Sequence, residues 1–131
     1  MPRLLVVDDE ESICFSMSEY FSLHGLKVDT AREFEEVEKL LEAQDYKVII
    51  QDLRLGSKPN ADGLDIIKHV RDQHLPSKII VLTAYGSAEV EEEAKRYGAD
   101  AFLRKPKPLS QVAQVVEGLL ESPPKEAARP A

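Results

Sequence analysis

Five short apolar runs punctuate the chain: "LLVV" at 4–7, "LKVDT" at 26–30, "KVIIQ" at 47–51, "KIIVL" at 78–82 and "AFL" at 101–103. Their β-branched content and their length read as strands. Between them the apolar positions recur at helical spacing: Ile13, Met17, Tyr20 and Phe21, then Phe34, Val37, Leu40 and Leu41, then Leu64, Ile67 and Val70. A fourth helix is predicted over about 87–97, and a fifth, carrying Val112, Val115, Val116, Leu119 and Leu120, over about 109–121.

Strand and helix alternate throughout, and right-handed crossovers then require a parallel sheet covered by helices on both faces. The first, third and fourth runs are continuously apolar, as central strands buried on both sides must be. The second alternates Leu26, Val28 and Thr30 with Lys27 and Asp29, and the fifth is short, so both belong at edges. This distribution fits the order 2-1-3-4-5 of a flavodoxin-like, doubly wound (βα)5 sheet, an α/β fold.

The 131 residues, 43% of them hydrophobic, suffice for one domain with a real core, expected over residues 1–121. Residues 122–131, "SPPKEAARPA", are rich in Pro, Ala and charge and lack periodicity, so they read as a linker or frayed end. Seventeen basic against 24 acidic residues give a formal charge of −7, which argues against binding of nucleic acid or an anionic membrane by this chain. Cys14 is the single cysteine; it excludes an internal disulfide framework and, read as an inert thiol, suits a reducing cytoplasm. No apolar stretch approaches the roughly 18 residues that span a bilayer, and Met1-Pro2-Arg3 leads directly into the first strand rather than into a signal segment. A cytoplasmic location is therefore expected.

In open sheets of this kind ligands bind beyond the carboxyl ends of the strands, near the point where strand order reverses. The residues placed there are Asp8 and Asp9, Asp52, Thr83 and Ala84, and Lys105 and Pro106. The stretch "VVDDEES" at 6–12 sets the acids Asp8 to Glu11 in a row. Acids in a helix's first turn complement its dipole and cap its N–H groups, which accounts for Glu10, Glu11 and Ser12. Asp8 and Asp9 facing Asp52 need another reason, since two unit charges 4 Å apart repel by about 4 kcal/mol at an effective dielectric near 20. Either a carboxylate is protonated or a cation lies between them. An oxygen-rich rim suits Mg2+, which takes one or two carboxylates, waters and a phosphate oxygen. Beside that ion and the Lys105 ammonium, a carboxylate can attack phosphorus to form an aspartyl phosphate, with the Thr83 hydroxyl serving a further phosphoryl oxygen.

With these residues in view, the chain resembles the receiver domain of two-component response regulators over about 120 residues. The resemblance rests on "VVDDEESI" at the first strand's end, Asp52 after "KVIIQ", "LTAYG" at 82–86 and "YGADAFLRKP" at 97–106, all in order. It implies a phosphorylation-dependent signalling switch rather than an enzyme, in which Asp52 accepts phosphate from the phosphohistidine of a sensor histidine kinase or phosphotransfer protein. It implies that Asp9 and Asp52 ligate Mg2+ directly, Asp8 through water and Arg54 through its backbone carbonyl. Lys105 would pair with the phosphoryl oxygens, and the Lys105-Pro106 bond is usually cis in this family. Thr83 would move inward and let Phe102 turn from outside to inside. The surface of the fourth helix, fifth strand and fifth helix would then meet an effector domain, a downstream protein or, as a homodimer, a second phosphorylated copy.

The chain departs from the family pattern beside the acceptor, where Asp52 is followed by "LRLGSKPNAD" before Gly63. That loop is longer than usual, with Gly56 where the family places Pro. Phe102 replaces the common Tyr and has no hydroxyl to hold the ring outward. A haloacid dehalogenase-type phosphotransferase would need a second acid two residues past the nucleophile, where this chain has Arg54. Flavin or dinucleotide binding would need a hydroxyl- or Gly-rich turn after the first strand, and residues 1–24 contain no Gly. The alternative is a phosphorylation-independent pseudo-receiver, a protein-interaction module. Its usual loss of an acid or the lysine is absent here, because Asp8, Asp9, Asp52, Thr83 and Lys105 are all present.

Overall fold

The computed structural model of the chain describes residues 2–55 and 62–121, with Asp62 described by its backbone alone. Gly56, most of the added loop and the expected tail at 122–131 lie outside the described residues. Strands β1 (Arg3–Val7), β2 (Lys27–Ala31), β3 (Val48–Gln51), β4 (Lys78–Thr83) and β5 (Ala101–Arg104) alternate with helices α1 (Glu11–Leu23), α2 (Phe34–Ala43), α3 (Asp62–Asp72), α4 (Ala88–Tyr97) and α5 (Leu109–Glu121). All strand pairs are parallel, in the order β2-β1-β3-β4-β5, as the hydrophobic pattern requires. Every position of β3 and β4 is buried, whereas β2 and β5 are largely half-exposed, which marks them as the edges.

The period-two alternation of the strands divides the core in two. Leu5, Val7, Ile49, Ile79 and Val81 pack under α2, α3 and α4. Leu4, Val6, Val48, Ile50, Ile80 and Leu82 pack under α1 and α5. The amphipathic helices supply the matching stripes, for example Cys14, Met17 and Phe21 of α1 and Ile66, Ile67 and Val70 of α3.

The amino-terminal end of the sheet is pinned by one side chain. The Arg71 guanidinium donates to the carbonyls of Leu75, Ser77 and Gly98 at 2.9–3.2 Å and meets Asp100 at 3.1 Å. Gly98, at φ 127°, ends α4 in the left-handed region, and a Cβ there would fall 2.7 Å from Arg71 Cγ. That end of the fold is thereby committed to structure, and the loops at the opposite end are left for chemistry. Among the described residues no helix is long and apolar enough to cross a membrane.

Candidate functional site

Backbone ladders carry the chain past the strand ends and into the site. The Asp8 N–H donates to the Ala31 carbonyl at 3.1 Å, Asp52 N–H to the Val7 carbonyl at 2.9 Å, and Lys105 N–H to the Thr83 carbonyl at 3.0 Å. Asp8, Asp52 and Lys105 continue the alternation of Leu4 and Val6, Val48 and Ile50, and Ala101 and Leu103, so they share one register. Their side chains meet: Lys105 Nζ donates to Asp8 Oδ2 at 2.7 Å and to Asp52 Oδ2 at 3.0 Å. Both acids are almost fully enclosed, at 3% and 4% exposure.

Buried charges need full hydrogen bonding to be tolerated. Asp8 Oδ1 accepts the Glu10 N–H at 3.0 Å, and Asp52 Oδ1 accepts the N–H groups of Leu53 and Arg54 at 2.7 and 3.3 Å. Burial nonetheless pushes the Asp8 carboxyl above its ordinary value, and the bonds from Lys105 and Glu10 only partly offset it. Burial presses the Lys105 ammonium down, but its bonds to Asp8 and Asp52 and their charges outweigh this and hold it above its ordinary value. The chain's own lysine thus sets one positive charge between the facing carboxylates.

Asp9 is half-buried, and its carbonyl accepts a guanidinium N–H of Arg32 at 3.1 Å. Among the described residues no three His, Cys, Asp or Glu side chains are arranged to hold a metal ion. The structure thus brings Asp8, Asp52 and Lys105 together and does not gather Asp9 into a three-acid cluster. The donor set still fits a hard divalent cation, because two carboxylates against one ammonium leave a negative, oxygen-lined site before Asp9 is counted.

Thr83 is fully buried at the end of β4, and its hydroxyl oxygen accepts the Tyr85 N–H at 3.1 Å. Phe102 is half-buried, with its ring against Gly86, where a Cβ would come 3.0 Å from Phe102 Cε1. The Arg54 guanidinium stacks over the Tyr85 ring at 4.4 Å and joins the β3–α3 loop to the β4–α4 loop. The Lys105-Pro106 peptide is cis.

The acids of "VVDDEES" divide differently from the sequence expectation. The N-cap of α1 is Glu10, whose side chain makes no capping bond, and Glu11 is the acid of the first turn. The local N–H is taken by Asp8, because a short Asp side chain reaches the backbone two residues on. Cys14 is buried and donates to the Asp8 carbonyl at 3.3 Å, with burial pushing its thiol up, as an inert role requires. Sequence reasoning missed Arg32, which bonds Glu11 as well as Asp9, and Gln51, whose amide bonds Gly63 behind the acceptor. The single polar residue ending "KVIIQ" was the available signal for Gln51.

The family model for the response regulator receiver domain matches residues 4–117. The chain belongs to that family. The receiver domain is 32% identical to response regulator protein PilR of Pseudomonas aeruginosa over 116 residues, which are 87% of this chain and 25% of that protein. It is 29% identical to regulatory protein AtoC of Escherichia coli K12 over 119 residues, 91% of this chain and 25% of that protein. It therefore spans a quarter of the length of these relatives. Among solved structures, the beryllofluoride-activated NtrC4 receiver domain dimer is similar at a TM-score of 0.83 and 34% identity, covering 92% of this chain and 98% of that one. A Burkholderia pseudomallei response regulator with a phosphorylated aspartic acid, a calcium ion and citrate is similar at a TM-score of 0.78 and 31% identity, covering 94% of this chain and 76% of that one. Membership of this family makes the domain a signalling module of phosphorylation-based, two-component type.

Proposed function

We propose that this receiver domain is a Mg2+-assisted phosphorylation switch whose acceptor is Asp52. The observation that carries the reading is the Lys105 ammonium held between the buried carboxylates of Asp8 and Asp52 at the strands' carboxyl ends. An Asp52 oxygen attacks the phosphorus of a partner's phosphohistidine; the P–O bond forms as the P–N bond breaks, and its electron pair returns to the imidazole. The Leu53 and Arg54 N–H groups on Asp52 Oδ1 orient the nucleophile. Lys105 passes from the carboxylate pair to a phosphoryl oxygen, where its charge counts most in a site sheltered from water. Asp9 and Asp52 would hold Mg2+ directly, Asp8 through water and Arg54 through its backbone carbonyl. When bound, the ion neutralises charge that builds on the phosphoryl oxygens.

The Thr83 hydroxyl would leave the Tyr85 N–H for the phosphoryl group, and Phe102 would follow it inward. A shift of a few kcal/mol between two states is enough to drive such a device. The α4, β5 and α5 surface would then change partners, among them an effector domain, a downstream protein or a second copy. A sensor histidine kinase or phosphotransfer protein supplies the phosphate, and a groove of about 470 Å3 beside Lys105, floored by Ile13, Met17 and Leu82, gives that partner purchase. Residues 1–121 form the switch, and the cytoplasm is its compartment.

Incubation with acetyl phosphate and Mg2+ tests the reading. Wild type should take up label, and Asp52→Asn should take up none. Unchanged incorporation in that variant would sink the assignment.

A further inference from the structure

Gln51 takes no part in the phosphoryl chemistry, yet it lies beside it and is as enclosed as Thr83. It is fully buried at the last position of β3, in a strand whose other members are Val48, Ile49 and Ile50. Burying a primary amide among such neighbours is unfavourable unless its groups are bonded. Nε2 donates to the Gly63 carbonyl at 2.6 Å and approaches the Asp52 carbonyl at 3.4 Å. Among the described residues Oε1 has no hydrogen-bond partner. The amide is therefore kept, at a cost, for what its nitrogen does.

Gly63, in the first turn of α3, lies directly on the acceptor's backbone: a Cβ there would fall 2.4 Å from Leu53 Cα and 2.5 Å from the Asp52 carbonyl oxygen. The Gly63 N–H donates to the Leu53 carbonyl at 3.0 Å. The Leu53 N–H in turn donates to Asp52 Oδ1 at 2.7 Å. A continuous path of bonds thus runs from Gln51 through Gly63 and Leu53 to the nucleophile. It joins Leu53, the first residue of "LRLGSKPNAD", to Gly63, which directly follows that stretch of chain.

We infer that Gln51 is a positioning residue: through Gly63 it keeps the Leu53 N–H on Asp52 Oδ1 and fixes the carboxylate orientation from which phosphoryl transfer starts. This rests on Asp52 being the phosphoacceptor. Gln51→Leu removes the donor and the orphan oxygen together, so relief of the unpaired oxygen offsets part of the lost bond to Gly63, and urea unfolding should show a folded, cooperative variant. Gln51→Met, unbranched and of matching length, is the second variant and gives the same reading if the Leu side chain does not pack. Phosphate uptake from acetyl phosphate with Mg2+ should slow about tenfold at saturation, because a small misplacement of a nucleophile costs rate steeply. KM should stay unchanged, which separates orientation from binding. In heteronuclear NMR the Leu53 amide should leave the low-field position that its short bond to a carboxylate confers. Wild-type rate in a folded Gln51→Leu or Gln51→Met variant overturns the inference, while loss of labelling in Asp52→Asn still upholds the acceptor. A wild-type chain that takes no phosphate overturns the acceptor reading and this inference with it.

Discussion

Asp8 accepts at three oxygens at once: Oδ2 from Lys105, Oδ1 from the Glu10 N–H and its carbonyl from the Cys14 thiol. Burial, the largest influence on its carboxyl, raises it above the ordinary 3.8. The folded chain then binds the Asp8 proton more tightly than the unfolded chain does. Stability must fall as pH rises from about 3.8 through the higher folded value, and the penalty is complete only above that value. Asp8→Asn should therefore raise the urea midpoint at pH 7, with the advantage shrinking as pH falls toward 3.8. An advantage that does not depend on pH would assign the effect to something other than the buried charge. At this scale Asp52 and Lys105 were legible because each directly follows a strand. The division of labour among Asp8, Asp9, Glu10 and Glu11 was not, since it depends on which carboxylate reaches Lys105, 97 residues away from Asp8 in the chain.

At the scale of elements, edge strand β2 shows how an exposed row of backbone is held in place. Asp29 within it receives the Tyr46 hydroxyl at 2.6 Å and the Arg3 guanidinium at 3.1 Å, so residues from β1 and from the approach to β3 close on the edge. Burial first, then the bond to Asp29, pushes the Tyr46 hydroxyl above its ordinary value of 10. Its stabilising contribution is complete below pH 10 and is lost as pH rises through the folded value. Tyr46→Phe should cost about 1 kcal/mol at neutral pH and should blunt the alkaline loss of stability, as urea unfolding on either side of pH 10 will show. The alternation in "LKVDT" announced an edge strand, but nothing in it announced Tyr46 as the clamp. The same holds for Arg71, whose carbonyl partners are named only once α3, β4 and the α4–β5 turn are in register.

For the whole molecule, the test of a switch is whether a change at the rim is felt across the output surface. Beryllofluoride with Mg2+ should shift amide resonances in α4, β5 and α5 as well as at Asp52 and Thr83. A spectrum that does not move would favour the pseudo-receiver. The fold was legible as a whole because burial on one or both faces of a strand is written in its period, and from that the strand order follows. The place of the candidate site was legible because it follows from the topology. What stayed hidden, Gln51 above all, depends on Gly63, brought back against the strand across an insertion whose length says nothing of where its far end lands.

The two packed layers on either side of the sheet share no residue among those described. Substitutions that leave the strands' backbone in place should then act separately on each flank. Drift on the α1 and α5 side can re-tool that flank for a new partner while the packing around Phe102 keeps its shape. To natural selection, the chain is close to two proteins sharing a wall.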